Sequence, residues 1–319
     1  MQHPFRFAIS GSLPTSRAEW VALAQKVEAL GYSTLVLGDH PTSGGGPFAA
    51  LMAAADATTT LRIGSHVLAN DFRPPVLLAQ EMAMLDLLSA GRVEFGIGSG
   101  WLQADYENCG VPFDPPRVRI QRLAEAVALL KRLFGDEPVT FQGHYYQVKE
   151  LNLLPKPQQR PHPPLYIGGG GRRVLTLAAQ EATIVGLDAK GTQAGTKDLA
   201  TTTTDALAQQ IEWVREAAGA RFPDLELHLL IYNVIVTEDR QQGAQQIAAG
   251  LAAMSSATMS NTSLSLEQIL ASPRYLIGTE EQIMAQLQAC RERYGISYFT
   301  LFARYIDAFH PIVAQLAGR

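Results

Sequence analysis

An alternation repeated eight times constrains this chain more than any other feature. A short apolar run of strand character precedes a stretch of helical period, again and again. The runs are 5–10 (FRFAIS), 33–38, 61–69, 92–100, 164–171, 182–187, 225–236 and 296–302. Helical pattern fills most of the intervals. Ser16 with Glu19 three residues on signals an N-terminus, Gly31 a stop, and Pro75 a first helical position. Thr204 or Asp205 caps a helix over 206–219, helical material fills 239–272, and 279–295 is the last helix before the final strand.

Strands separated by helices of this length pair in parallel, because a parallel connection needs a crossover. Eight such units in 319 residues predict a (β/α)8 TIM barrel with insertions, occupying 1–319 as a single domain. A doubly wound open sheet is the alternative. It lacks its dinucleotide fingerprint, since ISGSLP stands where GxGxxG would follow the first strand. Two segments interrupt the alternation: a hairpin at 138–150, turning at Gln142-Gly143, and the Gly- and Thr-rich stretch 188–205, read as a mobile loop over the barrel mouth.

Bulk properties exclude several classes. The net charge is −4, so there is no basic field for nucleic acid or an anionic membrane. No apolar run approaches 18 residues, and MQHPFRFAIS has no basic segment of a signal peptide, so the first apolar run is expected to be a strand. Cys109 and Cys290 are far apart and form no CxxC pattern, which fits a reducing cytoplasm.

In a barrel the C-terminal strand ends share one mouth. The second run ends in Asp39 and His40, the third delivers Ser65, His66 and Asn70, and the fourth Ser99, Gly100 and Trp101. The fifth delivers Gly168, Gly169, Gly170 and Gly171, then Arg172 and Arg173; the seventh carries Tyr232 and Asn233. The glycine run is open to two readings, a flexible turn or an anion cradle at a helix N-terminus with guanidinium groups beside it. GIGSGW is either a tight turn or an edge that a flat ring can approach. His66 is either a satisfied core histidine or a site residue. No HExxH or other ligand spacing points to a metal, and no GxSxG elbow to a hydrolase. A mouth with glycine-lined edges and few titratable groups suits a cofactor that carries the reactive atom.

Residues 61–134, above all LDLLSAGRVEFGIGSGW, resemble the bacterial luciferase-like superfamily of flavin and deazaflavin oxidoreductases. LGDHP and 163–187 are similar to its branch dependent on the deazaflavin coenzyme F420. The resemblance implies the barrel already argued and a homodimer. It implies that Asp39 contacts the cofactor ring and that His40 serves as acid or base toward the substrate. His66 and Val67 would form a bulge with a non-prolyl cis peptide behind the ring, with Ala69 close by. Gly100 and Trp101 would approach the pyrimidine end, and Gly168 to Gly171 would hold the phosphate, helped by Arg172 or Arg173. Two departures stand out. PTSGGGP follows His40 where some members have a tryptophan, and Trp101 replaces the glutamate of the sugar-phosphate dehydrogenases, so a sugar phosphate is not the expected substrate. The expected function is hydride transfer between F420 and a small organic molecule. An FMN-dependent monooxygenase is the alternative, and a cofactor-binding sensor without turnover a third reading.

Overall fold

The fold was determined as a computed structural model, which describes residues 3–12, 15–41, 45–253, 258–261 and 263–319. The strands of the central sheet are β1 (Arg6–Ser10), β2 (Thr34–Leu37), β3 (Arg62–Ser65), β4 (Val93–Gly98), β5 (Leu165–Gly169), β6 (Ile184–Leu187), β7 (Glu226–Leu230) and β8 (Ile296–Phe302). Each pairs in parallel with the next, and β8 returns to pair with β1, which closes the barrel. All six residues of β4 are buried, as expected for a strand covered on both faces. The open-sheet alternative is thereby excluded.

Helices pack outside. They include α1 (Arg17–Ala29), α2 (Pro47–Asp56), α3 (Pro75–Leu88), α4 (Pro116–Phe134), α5 (Arg172–Glu181), α6 (Thr204–Ala218), α7 (Glu280–Tyr294) and α8 (Ile306–Leu316). Ser16 accepts from the Glu19 N–H, Gly31 adopts φ +79°, and Pro75 opens α3, as the sequence signals require. The cap of α6 is Thr203, one residue before the expected position, because its hydroxyl reaches the Ala206 N–H.

Alternate strand residues face inward, and the barrel interior is polar at two levels. At the N-terminal end Arg6 bridges Glu94 and Glu226, Arg62 donates to Glu94 (2.9 Å), and so does the Tyr298 hydroxyl (2.8 Å). Strands β1, β4 and β7 are not neighbours, so these bonds cross the interior. Above them Tyr166 Oη lies 3.1 Å from His66 Nε2 and 3.0 Å from His228 Nδ1, while His228 Nε2 lies 2.7 Å from the Thr300 hydroxyl. Gly186 makes room for this layer, since a Cβ there would stand 1.9 Å from Tyr166 Oη.

Several predicted elements are corrected. The third run is not one strand: it breaks after Ser65, at the cis His66–Val67 peptide that the family resemblance implies, and resumes as Leu68–Ala69 against β4. The seventh run is two strands: after Leu230 the chain leaves the barrel, and Asn233–Val236 pairs with Tyr275–Gly278 in a separate sheet. The 188–205 stretch has regular structure. Lys190–Gly191 and Lys197–Asp198 form a small hairpin that pairs with Met259–Ser260, so 239–272 is not helical throughout. A polar, Gly-rich composition carries no signal for such short edge pairings. The 138–150 hairpin consists of Val139–Gln142 and Gln147–Leu151.

Candidate active site

A cavity of about 1100 Å³ opens at the C-terminal mouth of the barrel. Asp39, His40, His66, Val67, Ala69, Gly100 and Trp101 line it, together with Gly168 to Gly171, Arg172 and Arg173. The fold thus gathers residues spread over more than 130 positions around one space. Of the PTSGGGP loop, Thr42, Ser43 and Gly44 lie outside the described residues.

His40 is half-buried, and its Nδ1 lies 2.6 Å from Oδ2 of the buried Asp105. Trp101 packs edge-on against the same imidazole, with centroids 5.7 Å apart. Asp105 sits on a short helix, Gln103–Cys109, that follows the β4 turn. That turn depends on Gly100, which has φ +68° and whose Cβ would stand 2.0 Å from Tyr106 Oη. Tyr106 donates to the Ser99 carbonyl (3.1 Å), and the buried Arg119 donates to the Gly100 carbonyl (2.6 Å).

Asp39 is buried and tied inside the protein. Arg73 grips both of its oxygens, at 2.5 and 2.9 Å, and the Ala69 N–H donates to it at 3.0 Å. Its direct partners are therefore the guanidinium and the strand carrying the cis bond. His66 reaches inward to Tyr166, and burial holds its imidazole down to about 4, so it is neutral near pH 7.

Opposite, Gly168 to Gly171 lead into α5. The N-cap, Gly171, supplies no side-chain cap, and a Cβ there would meet nothing within 4 Å, so the first turn faces open space. Gly170 is packed tightly, since its Cβ would stand 2.4 Å from the Asp188 carbonyl. This open helix N-terminus fits an anionic group such as a cofactor phosphate. Arg172 is exposed and paired with Glu216 (3.0 Å), while Arg173 lines the cavity beside it.

Two site residues, Asp105 and Asp188, escaped sequence reasoning. Asp188 follows β6, pairs with Lys197 of the small hairpin and accepts from the Tyr232 hydroxyl (2.7 Å). Burial alone would raise its pKa, but the Lys197 ammonium and the Arg274 guanidinium outweigh burial and hold it below the ordinary carboxylate value. Lys197 also lies 5.0 Å from the Trp101 ring centroid, so the 188–205 stretch closes one side of the cavity. Asp188 was legible as a strand end; Asp105 had no local signal. Among the described residues no His, Cys, Asp and Glu cluster could hold a metal, and no helix is long and apolar enough to cross a membrane.

In (β/α)8-barrel enzymes the active site is built at this mouth, from the loops that follow the strands. The chain belongs to the luciferase-like monooxygenase family, whose profile matches residues 1–298. An F420-dependent glucose-6-phosphate dehydrogenase of Intrasporangium calvum is 32% identical over 165 residues, 49% of this chain and 49% of that protein. An FMNH2-dependent dimethylsulfone monooxygenase of Pseudomonas putida is 28% identical over 200 residues, 56% of this chain and 55% of that protein. The chain thus matches about half the length of these curated relatives. Coenzyme F420-dependent tetrahydromethanopterin reductase of Methanopyrus kandleri shares the fold, with a TM-score of 0.78 at 14% identity over 98% of this chain and 99% of that one.

Proposed function

We propose that this protein is an F420-dependent oxidoreductase acting on a small organic substrate, with His40 moving the proton that accompanies hydride transfer. The observation that carries the reading is the pairing, across one cavity, of an uncapped glycine-lined helix N-terminus with a carboxylate-held imidazole. The first suits a cofactor phosphate and the second an acid or base. A bound deazaflavin supplies a carbon that gives or takes hydride. Gly168 to Gly171, with Arg173 beside them, would hold its phosphate. Val67, braced by Gly98, and Ala69 would line the ring site. Gly98 has no room for a side chain, because its Cβ would stand 2.8 Å from Val67 Cγ2. His40 gives or takes a proton at the ring nitrogen that does not face Asp105. Trp101 stands edge-on beside the same ring.

The F420-dependent relative supports this reading and the FMNH2-dependent relative supports an FMN-dependent monooxygenase. The glycine run followed by two arginines favours the deazaflavin. Titration of the purified protein with F420 and with FMN separates the two. Fluorescence quenching at lower F420 concentration is expected; tighter FMN binding would overturn the assignment. We further propose a homodimer formed through α3, where Leu77, Met84, Leu87 and Leu88 are exposed, three of them at i, i+7 and i+11 on one face.

A further inference from the structure

Three carboxylates line the cavity: Asp39, Asp105 and Asp188. Asp39 is next to His40 in sequence, yet both of its oxygens are held by Arg73. Asp188 is engaged by Lys197 and the Tyr232 hydroxyl. Asp105, 65 residues further along the chain than His40, is the one that faces the imidazole, at 2.6 Å from Nδ1.

Its placement is rigid. The Asp105 N–H bonds to the Leu102 carbonyl (3.2 Å), and the next residue, Tyr106, anchors the same helix to the Ser99 carbonyl and to Asp71. A third contact comes from the 188–205 stretch, where Gly195 lies against Gln103 so closely that a Cβ would stand 2.4 Å from Gln103 Cβ. Asp105 is 3% exposed, so its carboxylate is better placed to act on the imidazole than on a ligand.

From this geometry we infer that Asp105 is the positioning residue of His40, fixing the ring with its proton on Nδ1 and Nε2 turned to the cavity. The inference rests on the oxidoreductase reading only for what His40 does, not for how it is held. A carboxylate accepting at Nδ1 makes Nε2 the lone-pair nitrogen of the neutral ring and the donor of the protonated one. Trp101, edge-on at 5.7 Å, limits rotation about the same side chain. A free imidazole exchanges its proton between both nitrogens, and one held at Nδ1 presents a single reactive atom. That matters where the proton must be delivered to or taken from one substrate atom.

The test reads the tautomer directly. In the full-length protein labelled with ¹⁵N-histidine, the His40 signals are assigned by their loss in His40→Gln. The wild type should show the proton on Nδ1. Asp105→Asn should return the ring to tautomer exchange. Asp105→Asn should also lower kcat about 10²- to 10⁴-fold, with F420 affinity and KM within a few-fold of wild type. A proton on Nε2 in the wild type, or an unchanged tautomer in Asp105→Asn, would overturn the inference. So would a variant that loses thermal stability but keeps the wild-type tautomer and kcat, because Asp105 would then serve only the fold. Should Asp105→Asn fail to fold, the wild-type tautomer alone still decides. The tautomer is read without cofactor, so failure of F420 to bind would defeat the proposed function and leave the positioning of His40 standing.

Discussion

Arg73 and Asp39 form a two-pronged ion pair, 2.5 and 2.9 Å, at the base of the candidate site. Asp39 is buried, whereas the Arg73 side chain keeps 26% of its surface exposed. The pair joins the end of β2 to the chain after Ala69, whose N–H donates to the same carboxylate. Arg73→Ala removes the guanidinium and strands a buried charge. A loss of about 2 kcal/mol is expected, reduced from the fully buried case because Arg73 reaches water. Urea denaturation measures it, and Arg73→Lys should recover part of it. An unchanged midpoint in Arg73→Ala would show that Asp39 is held by the Ala69 N–H alone.

The floor of the barrel makes a sharper demand. Glu94 is buried between Arg6, Arg62 and the Tyr298 hydroxyl. Burial alone would raise its pKa, but the two guanidinium groups keep it low. Glu94→Gln should cost about 3 kcal/mol, because two partly buried cations lose their shared partner. Cofactor affinity per folded molecule should stay the same, since Glu94 is absent from the cavity wall. A drop in affinity larger than the drop in folded fraction would mean that the floor transmits to the mouth.

Gly100→Ala tests the β4 turn. A side chain at φ +68° is strained, and its Cβ would meet Tyr106 Oη at 2.0 Å. A loss of about 2 kcal/mol is expected, seen as a lower thermal midpoint, together with weaker cofactor binding as the Gln103–Cys109 helix shifts. Gly110→Ala has φ +69° but open space around it, so it should cost only the backbone strain, about 1 kcal/mol.

Acid should weaken the barrel through its interior histidines. Burial holds His66 down to about 4, and His228 well below its ordinary value. Unfolded histidine binds protons near pH 6.5. Between roughly pH 6.5 and 4 the unfolded chain therefore carries more protons than the folded one, and stability falls as pH falls. The stability is fully present above 6.5. His66, which partly lines the cavity, accounts for about 2 kcal/mol of the loss. Thermal midpoints measured from pH 7.5 to 4 should decline, and His66→Gln should flatten the slope. A midpoint constant across that window would contradict the neutral state of both rings.

Leu77 and Leu88 on α3 are 55% and 59% exposed. If that face joins two copies, the Leu77→Glu, Leu88→Glu double variant should run as a monomer by light scattering, with little change in helical content. A wild-type protein of monomeric mass would end the dimer proposal.

What the chain alone determined is the set of strand–helix units; the pairing of β8 with β1 decided for a closed ring over an open sheet. Parallel strands buried on both faces read as apolar runs, and helices that cover them read at their own period; both signals are local. Asp39, His40 and the glycine run were legible for the same reason, since each ends a strand and all strand ends meet at one mouth. Only the tertiary structure decided the pairings across that mouth. Arg73 grips Asp39, Asp105 faces His40, and Lys197 of an apparently featureless loop pairs with Asp188. The inward polar layers were likewise hidden, because Arg6, Glu94 and Glu226 lie on strands that are not neighbours in the sheet. A carboxylate finds its partner by the closure of the barrel, and sequence periodicity carries no record of which distant side chain closure brings within 3 Å.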